Sequence, residues 1–162
     1  MAFGVPGFAA ADGGHSADVP PEDVSAQSIL KIVPADSAAG DFFGASVAVS
    51  GDIAVVGAPQ DDTPAGVDSG SAYVYVRTGA SWAFQAKLTP LDAAAHDNFG
   101  IAVAVYGDTV VVGANMDDVL RGSAYVFTRS GEVWSEQQKI VPASASANDH
   151  VGISVALHQD TA

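Results

Sequence analysis

The chain of 162 residues contains no cysteine, and it has only 6 lysine and arginine residues against 19 aspartate and glutamate residues. Without cysteine, disulfide bonds and thiolate metal sites are excluded, and the redox compartment stays open. The net charge of −13 argues against nucleic-acid binding, because neutralising phosphates requires a surface of Lys and Arg. It also disfavours an anionic membrane surface. The acidity favours solubility through repulsion between chains, and cation binding or life in high salt is the alternative.

Long apolar runs and helical periodicity are also missing. No segment approaches the roughly 18 apolar residues of a membrane-spanning helix, and the first residues make a poor signal peptide because no basic stretch precedes an apolar one. The sequence contains no nucleophile elbow, no zinc-protease helix motif and no phosphate loop. We therefore expect an all-β protein that is not an enzyme and does not insert into a membrane.

A repeat dominates what is present. Phe43-Gly44 recurs as Phe99-Gly100 and then as Val151-Gly152, at intervals of 56 and 52 positions (99 − 43 and 151 − 99). The segment 70–75, with the sequence GSAYVY, recurs at 122–127 as GSAYVF. A period near fifty residues predicts stacked or radially arranged units, which usually present surfaces rather than single catalytic centres.

Each repeat resolves into four short strands bounded by Gly, Asp and Pro. In the first copy we predict strands at Ala45–Ser50, Ile53–Ala58, Ser71–Arg77 and Trp82–Leu88, and in the second copy at Ile101–Tyr106, Thr109–Ala114, Ser123–Arg129 and Trp134–Ile140. The small residues of the first strand suit an innermost position, and the apolar second strand suits burial on both faces. Strict alternation along the fourth strand predicts Trp82, Phe84, Ala86 and Leu88 on one face.

The predicted organisation is a disordered lead or linker at 1–27 followed by a β-propeller segment at 28–162. Within that segment we predict a lone fourth strand at 28–34, complete blades at 41–90 and 97–142, and the start of a further blade at 149–162. A propeller closes with about four to eight blades. Two blades leave faces and strand edges unpaired, so we expect self-association or further blades to cover them.

The combination of Phe43-Gly44, the tight turn Ser50-Gly51-Asp52 and the strand ending in Gly57-Ala58-Pro59 resembles the FG-GAP repeat. The similarity covers about residues 29–160 and is strongest to the variant of microbial surface and secreted proteins, related to the integrin α-subunit heads. It implies a β-propeller of four-stranded blades in an extracellular or cell-surface setting. Calcium-binding members carry Asp-x-Asp-x-Asp-Gly where this chain has one acid, so their Ca²⁺ site does not carry over.

Two sets of acids remain candidate sites. The first set follows the second strand of each blade and could hold a cation such as Ca²⁺ with backbone carbonyls, or could cap turns: Asp61, Asp62, Asp68, Asp117 and Asp118. The second set precedes each Phe-Gly position and could ring a channel mouth and attract cations or basic partners, or could accept turn-stabilising hydrogen bonds: Asp41, Asp97 and Asp149. Trp82 and Trp134 could stack on sugars, or could anchor the packing of the outer strands.

Three functions fit this pattern. The first is a non-catalytic binding or scaffolding module that contacts a protein or glycan through loops on one face. The loops after the second strands differ in length, Pro59 to Gly70 against Asn115 to Gly122, and such insertions collect on the binding face of repeat arrays. The second is a purely structural segment of a larger propeller. The third is part of a propeller enzyme whose active site lies on blades outside this chain.

Overall fold

The computed structural model describes residues 31–159 of the chain. They form two four-stranded antiparallel sheets, in each of which the strands pair in chain order. Blade 1 consists of β1 (Ser46–Ser50), β2 (Ile53–Ala58), β3 (Ser71–Thr78) and β4 (Ser81–Leu88), and blade 2 of β5 (Phe99–Tyr106), β6 (Thr109–Ala114), β7 (Ser123–Ser130) and β8 (Val133–Ile140). The prediction of an all-β partial propeller with two complete four-stranded blades is confirmed.

The alternation predicted for the fourth strand is wrong beyond Phe84. The register between β3 and β4 shifts at Gln85, which is a β-bulge. Beyond the bulge the side chains of Ala86 and Leu88 change face and join the core between the blades. The equivalent residue Gln137 bulges from β8 in blade 2. One extra residue exchanges the two faces for all side chains that follow it in the strand. The residue types in the strand do not indicate where such a bulge lies.

The two blades pack face to face. We define the trailing face of a blade as the one toward the next blade along the chain, and the leading face as the opposite one. The trailing face of blade 1 carries Ala48, Ile53, Val55, Ala72, Val74, Ala86 and Leu88. The leading face of blade 2 carries Val103, Val105, Val110, Val112, Tyr125 and Phe127, and the two faces form one core. Flat apolar sheets thus stabilise each other by removing their faces from water.

Hydrogen bonds and a close backbone approach at the start of β5 hold blade 2 against blade 1. The N–H of Phe99 donates to Ser69 O at 3.1 Å, and Ser46 Oγ donates to Gly100 O at 2.8 Å. Gly57 faces the carbonyl of Gly100 so closely that a Cβ on Gly57 would overlap it. The Phe-Gly sequence therefore supplies an aromatic ring to the core between the blades and a glycine where two backbones meet.

The segments that flank the blades are less regular than the sequence predicts. Residues 31–34 are not in a strand, while residues 28–30 and the lead at 1–27 lie outside the described residues. In the segment 149–159, Val151 makes a single parallel bridge to Gly122, and no strand forms. Within residues 31–159 neither segment has a neighbouring strand of its own blade to pair with.

Each blade has two different ends. Tight turns join β1 to β2 and β3 to β4, and we call this the turn end. The long β2–β3 loops and the links between blades lie at the opposite end, which we call the loop end. In blade 2 the loop contains a single tight turn, Asp117–Leu120, whose backbone is left-handed at Asp118, Val119 and Leu120, with φ of 50°, 60° and 64°. All residues of the two predicted acidic sets within 31–159 lie at the loop end.

Candidate functional site

A buried carboxylate organises the loop end of blade 2. Asp117 follows β6, and its Oδ2 accepts hydrogen bonds from Ser123 Oγ and from Tyr125 OH at 3.2 Å. Lys139 Nζ from β8 lies 2.6 Å from the same oxygen and 2.7 Å from Oδ2 of Asp92. Asp92 lies in the link that follows blade 1 and also accepts from Tyr125 OH at 3.0 Å. The network therefore bonds the end of one blade to the body of the next.

Blade 1 repeats this network with its own residues. Oδ2 of buried Asp61 accepts from Ser71 Oγ at 2.5 Å and from Tyr73 OH at 3.1 Å. Lys87 Nζ lies 2.7 Å from Asp61 Oδ2 and 2.6 Å from Asp36 Oδ2. Asp36 lies ahead of blade 1 as Asp92 lies ahead of blade 2, 56 positions apart (92 − 36). We call these two clusters the Lys87 network and the Lys139 network.

The electrostatics of both networks hold the lysines charged. Burial alone would lower the pKa of Lys139, but its bonds to Asp117, Asp92 and Tyr125 outweigh burial and raise that pKa above its usual range. The same balance raises the pKa of Lys87. Burial raises the pKa of Tyr73 to about 12, so its hydroxyl stays a hydrogen-bond donor at neutral pH. Each network is thus an internally satisfied set of two carboxylates, one ammonium and two hydroxyls.

The acids predicted as cation ligands are already paired to protein groups. Asp61 and Asp117 belong to the two networks, and Asp62 Oδ1 accepts from the N–H of Asp68 at 2.9 Å. Asp118 pairs with an arginine and the Asp68 carboxylate with a histidine. Within residues 31–159 no group of three or more His, Cys, Asp or Glu side chains is placed to hold a metal ion. Ca²⁺ at Asp117 would have to displace a lysine, and the cation assignment of these five acids stays a prediction.

The acids that precede each Phe-Gly position accept backbone hydrogen bonds. Oδ2 of Asp41 accepts from the N–H of Ala38 at 2.5 Å, and Oδ2 of Asp97 from the N–H of Ala94 at 2.7 Å. Asp149 makes the same turn with Ser146. Burial raises the pKa of Asp97. This geometry is that of the turn-stabilising interpretation, and a role at a channel mouth stays a prediction.

Two equivalent depressions lie beside the networks at the loop end. The depression on blade 2 has a volume of about 580 Å³ and is lined by acids and apolar side chains, among them Asp92, Asp97, Asp118, Met116, Val119 and Leu120. Its counterpart on blade 1 is smaller, about 240 Å³, and is lined mainly by Asp, Ala and Gly residues. The two β2–β3 loops differ in length and conformation, so the same framework presents two different surfaces.

The comparison with known families agrees with the repeat. The FG-GAP repeat model matches residues 27–75, 82–127 and 134–162, which together exceed half of the chain. The chain belongs to the FG-GAP repeat family. A search of curated proteins finds no match to it. Among the described residues, no helix of this FG-GAP chain has the length and apolar character needed to cross a membrane.

The lysines of the FG-GAP blades are site residues that were not among those predicted from the sequence. Lys87 and Lys139 recur 52 positions apart, as do Tyr73 and Tyr125 (139 − 87 and 125 − 73). A lysine repeated in step with a strand tyrosine was the available signal. The repeat does not predict the β-bulge that places the lysine on the same face of the sheet as the tyrosine. Because of this bulge, Lys87 Nζ lies 5.1 Å from the ring centre of Tyr73.

At the turn end a second repeated ion pair holds each blade. Arg77 Nη2 lies 2.8 Å from Oδ1 of Asp52, the single acid of the β1–β2 turn. Arg129 and Asp108 repeat the pair in blade 2 at 2.5 Å. Both arginines also lie over the ring of the following tryptophan, with the Arg129 guanidinium carbon 5.7 Å from the centre of Trp134. An arginine thus neutralises the turn acid in both FG-GAP blades.

The tryptophans anchor packing in the described structure. The indole N–H of Trp134 donates to Gln85 Oε1 at 2.8 Å, which joins β8 to the bulge of β4. Trp134 also packs against the core between the blades, and Trp82 packs against the cluster on the leading face of blade 1. These contacts agree with the interpretation of both residues as packing anchors.

Proposed function

We propose that this FG-GAP chain is a non-catalytic binding or scaffolding module of a secreted or cell-surface protein, which contacts a protein or glycan through its loop end. Membership of the FG-GAP family supports the extracellular setting. The distribution of variation supports the use of the loop end. The turn ends of the two blades repeat the same Gly-Asp turn and the same arginine pair, whereas the β2–β3 loops differ. Variation on a constant framework is typical of recognition surfaces.

The depression on blade 2 carries this proposal. Its volume of about 580 Å³ lies in the range of ligand pockets. Carboxylates line it, and the exposed side chains of Met116 and Val119 lie beside them. Val119 has a φ of 60°, which a β-branched residue rarely adopts, and such backbone is concentrated at functional sites. The surface suits a partner that offers hydrogen-bond donors or cationic groups next to apolar atoms.

Binding assays with matched variants test the proposal. The full chain is screened on a glycan array and against extracellular protein ligands, and the affinity of each hit is measured for Val119→Asp at the loop end and Val133→Asp at the turn end. Both valines are exposed, so neither change disturbs the core. We expect Val119→Asp to weaken binding by at least about tenfold and Val133→Asp to leave it unchanged. Equal effects would refute the loop-end assignment, and no hit would favour the purely structural segment.

A further inference from the structure

The leading face of blade 1 is an apolar sheet surface that is buried at its centre, where Val56, Tyr73 and Tyr75 lie, and open to water along its outer strands β1 and β4. Val47, Val49 and Phe84 are 60%, 59% and 58% exposed. In blade 2 the residue equivalent to Val49 is Val105, which is only 8% exposed because the trailing face of blade 1 covers it. Part of the leading face of blade 1 is thus exposed, whereas the equivalent face of blade 2 is covered by the apolar residues of the trailing face of blade 1.

The chain carries a second trailing face, on blade 2. It repeats the cover of blade 1 position by position, with Ala104, Val111, Ala124, Val126 and Ile140 equivalent to Ala48, Val55, Ala72, Val74 and Leu88. The segment 148–157 lies against this blade. The N–H of Val151 donates to Arg121 O at 2.9 Å, as the N–H of Phe99 donates to Ser69 O in the blade before. The carbonyl of Gly152 lies against Gly113, as that of Gly100 lies against Gly57.

In the described part of the chain, segment 148–157 occupies the place of a first strand, and no second, third or fourth strand of a blade accompanies it. Within residues 31–159 no strand pairs with it, and Ile153 is 62% exposed. The segment 40–49 is equivalent to it by the repeat and has all of blade 1 behind it. Phe42 and Asn98, at equivalent positions, have φ of 54° and 55°, so the backbone turns in the same way before both Phe-Gly sequences. The N–H groups of segment 40–43 have no backbone partner in the described part of the chain.

We propose that a second copy of this chain binds head to tail: its segment 40–49 and the leading face of its blade 1 replace segment 148–157 on the trailing face of blade 2. The exchange restores the same backbone hydrogen bonds and also removes Val47, Val49 and Phe84 from water. The interface is heterologous, so each added copy offers the same open face again, and the assembly becomes a ring or an open array. Segment 148–157 competes for the same surface and limits the assembly.

The charge of the chain sets the conditions of association. Each copy carries a net charge of −13, and the copies repel each other at low ionic strength. The docking faces are apolar, so added salt screens the repulsion without weakening the contact. We therefore expect sedimentation velocity of the full chain to show a mass that increases with protein concentration and with NaCl. Screening is nearly complete in roughly 0.5 M NaCl. If both the natural chain and the variant Gly152→Ala, described below, keep a constant monomer mass under that condition, the proposal is overturned.

Two glycine variants test the competition by segment 148–157. An alanine at Gly152, where φ is +83°, would place its Cβ against the carbonyl of Ser123, so Gly152→Ala loosens the segment. Gly131→Ala is the matched control, because Gly131 has a φ of +64° and open space around its Cβ position. We expect Gly152→Ala to strengthen association by at least about tenfold, since less competition has to be overcome. Equal association constants for the two variants would contradict the exchange.

Charged variants of exposed apolar residues test the other partner of the contact. Val49→Asp places a carboxylate in the proposed interface and should weaken association by at least about tenfold, whereas Leu91→Asp, in the exposed link between the two blades, should leave it unchanged. Circular dichroism of each monomer confirms that the fold is kept. If residues 1–30 of the same copy cover Val49 instead, Val49→Asp lowers the melting temperature and leaves the mass distribution unchanged. That result would also overturn the proposal.

Discussion

Removing the charge of Asp117 should destabilise the fold far more than removing the charge of its neighbour Asp118. Asp117 is buried and accepts bonds from Ser123, Tyr125 and Lys139, whereas the Asp118 side chain is 57% exposed and pairs only with Arg121 among the described residues. The substitutions Asp117→Asn and Asp118→Asn both replace a carboxylate with an uncharged amide of nearly the same size. They separate a buried network from a surface ion pair within one tight turn.

The expected magnitudes follow from burial. Breaking a buried ion pair by removing one partner costs about 3–5 kcal/mol, because the other charge is left desolvated. In Asp117→Asn the new amide would keep an oxygen for Ser123 and Tyr125, and Lys139 keeps Asp92 at 2.7 Å, so the lower limit of about 3 kcal/mol applies. An exposed pair contributes about 0–1 kcal/mol. At about 4 °C per kcal/mol for a domain of this size, Asp117→Asn should lower the melting temperature by about 12 °C.

Urea unfolding followed by circular dichroism measures both free energies of unfolding, and thermal melting gives a second estimate. We expect the free energies of unfolding of the two variants to differ by at least about 2 kcal/mol. A difference below about 0.5 kcal/mol would refute the view that the buried Lys139 network stabilises the fold more than a surface ion pair does. Asp92→Asn, which removes the partner on the link between blades, should fall between the two.

Three further outcomes are expected. Lys87 lowers the pKa of Asp36 by hydrogen bonding, so the contribution of Asp36 to the free energy of unfolding is complete above its ordinary pKa of about 4 and is lost as pH falls through the lowered value. Urea midpoints measured from about pH 6 to about pH 2 should show this loss, and the loss should be smaller in Asp36→Asn. A Ca²⁺ titration followed by melting tests the cation assignment of the five loop acids: a ligand of the folded state must raise the midpoint, and the lysine contacts lead us to expect no change at millimolar Ca²⁺. The Tyr75 hydroxyl is buried without a hydrogen-bond partner among the described residues, and the equivalent residue of blade 2 is Phe127. Tyr75→Phe should therefore leave the free energy of unfolding unchanged or raise it by up to about 1 kcal/mol, whereas a loss above about 1 kcal/mol would show that the hydroxyl has a partner.

The fold was largely predictable because the repeat marks each strand twice. The bounds of β2 and β6 agree with the predicted ones, and the other strands differ by one or two residues at their ends. Glycine and aspartate turns fix these limits locally. The bulges at Gln85 and Gln137 were not predictable, because an extra residue in one strand becomes visible only through its pairing with another.

The candidate site was predictable in place but not in partners. The acids at 61 and 117 were singled out because they recur in the loops, and these loops do lie together with the links between blades. Their bonds to Lys87 and Lys139 depend on side chains that come from the far strand of the sheet, 26 and 22 positions away (87 − 61 and 139 − 117). Sequence spacing gives no distance across a sheet until the register is known.

Nuclear Overhauser effects across the two blades test the packing on which the rest depends. In the folded chain the indole N–H of Trp134 lies against the Gln85 side chain, and the amide of Phe99 lies beside Ser69. The account predicts cross-peaks from the Trp134 indole proton to the Gln85 side chain and between Phe99 and residues 69–70. Their absence in a folded sample, with strong intra-blade cross-peaks present, would contradict the stacking of blade 2 on blade 1.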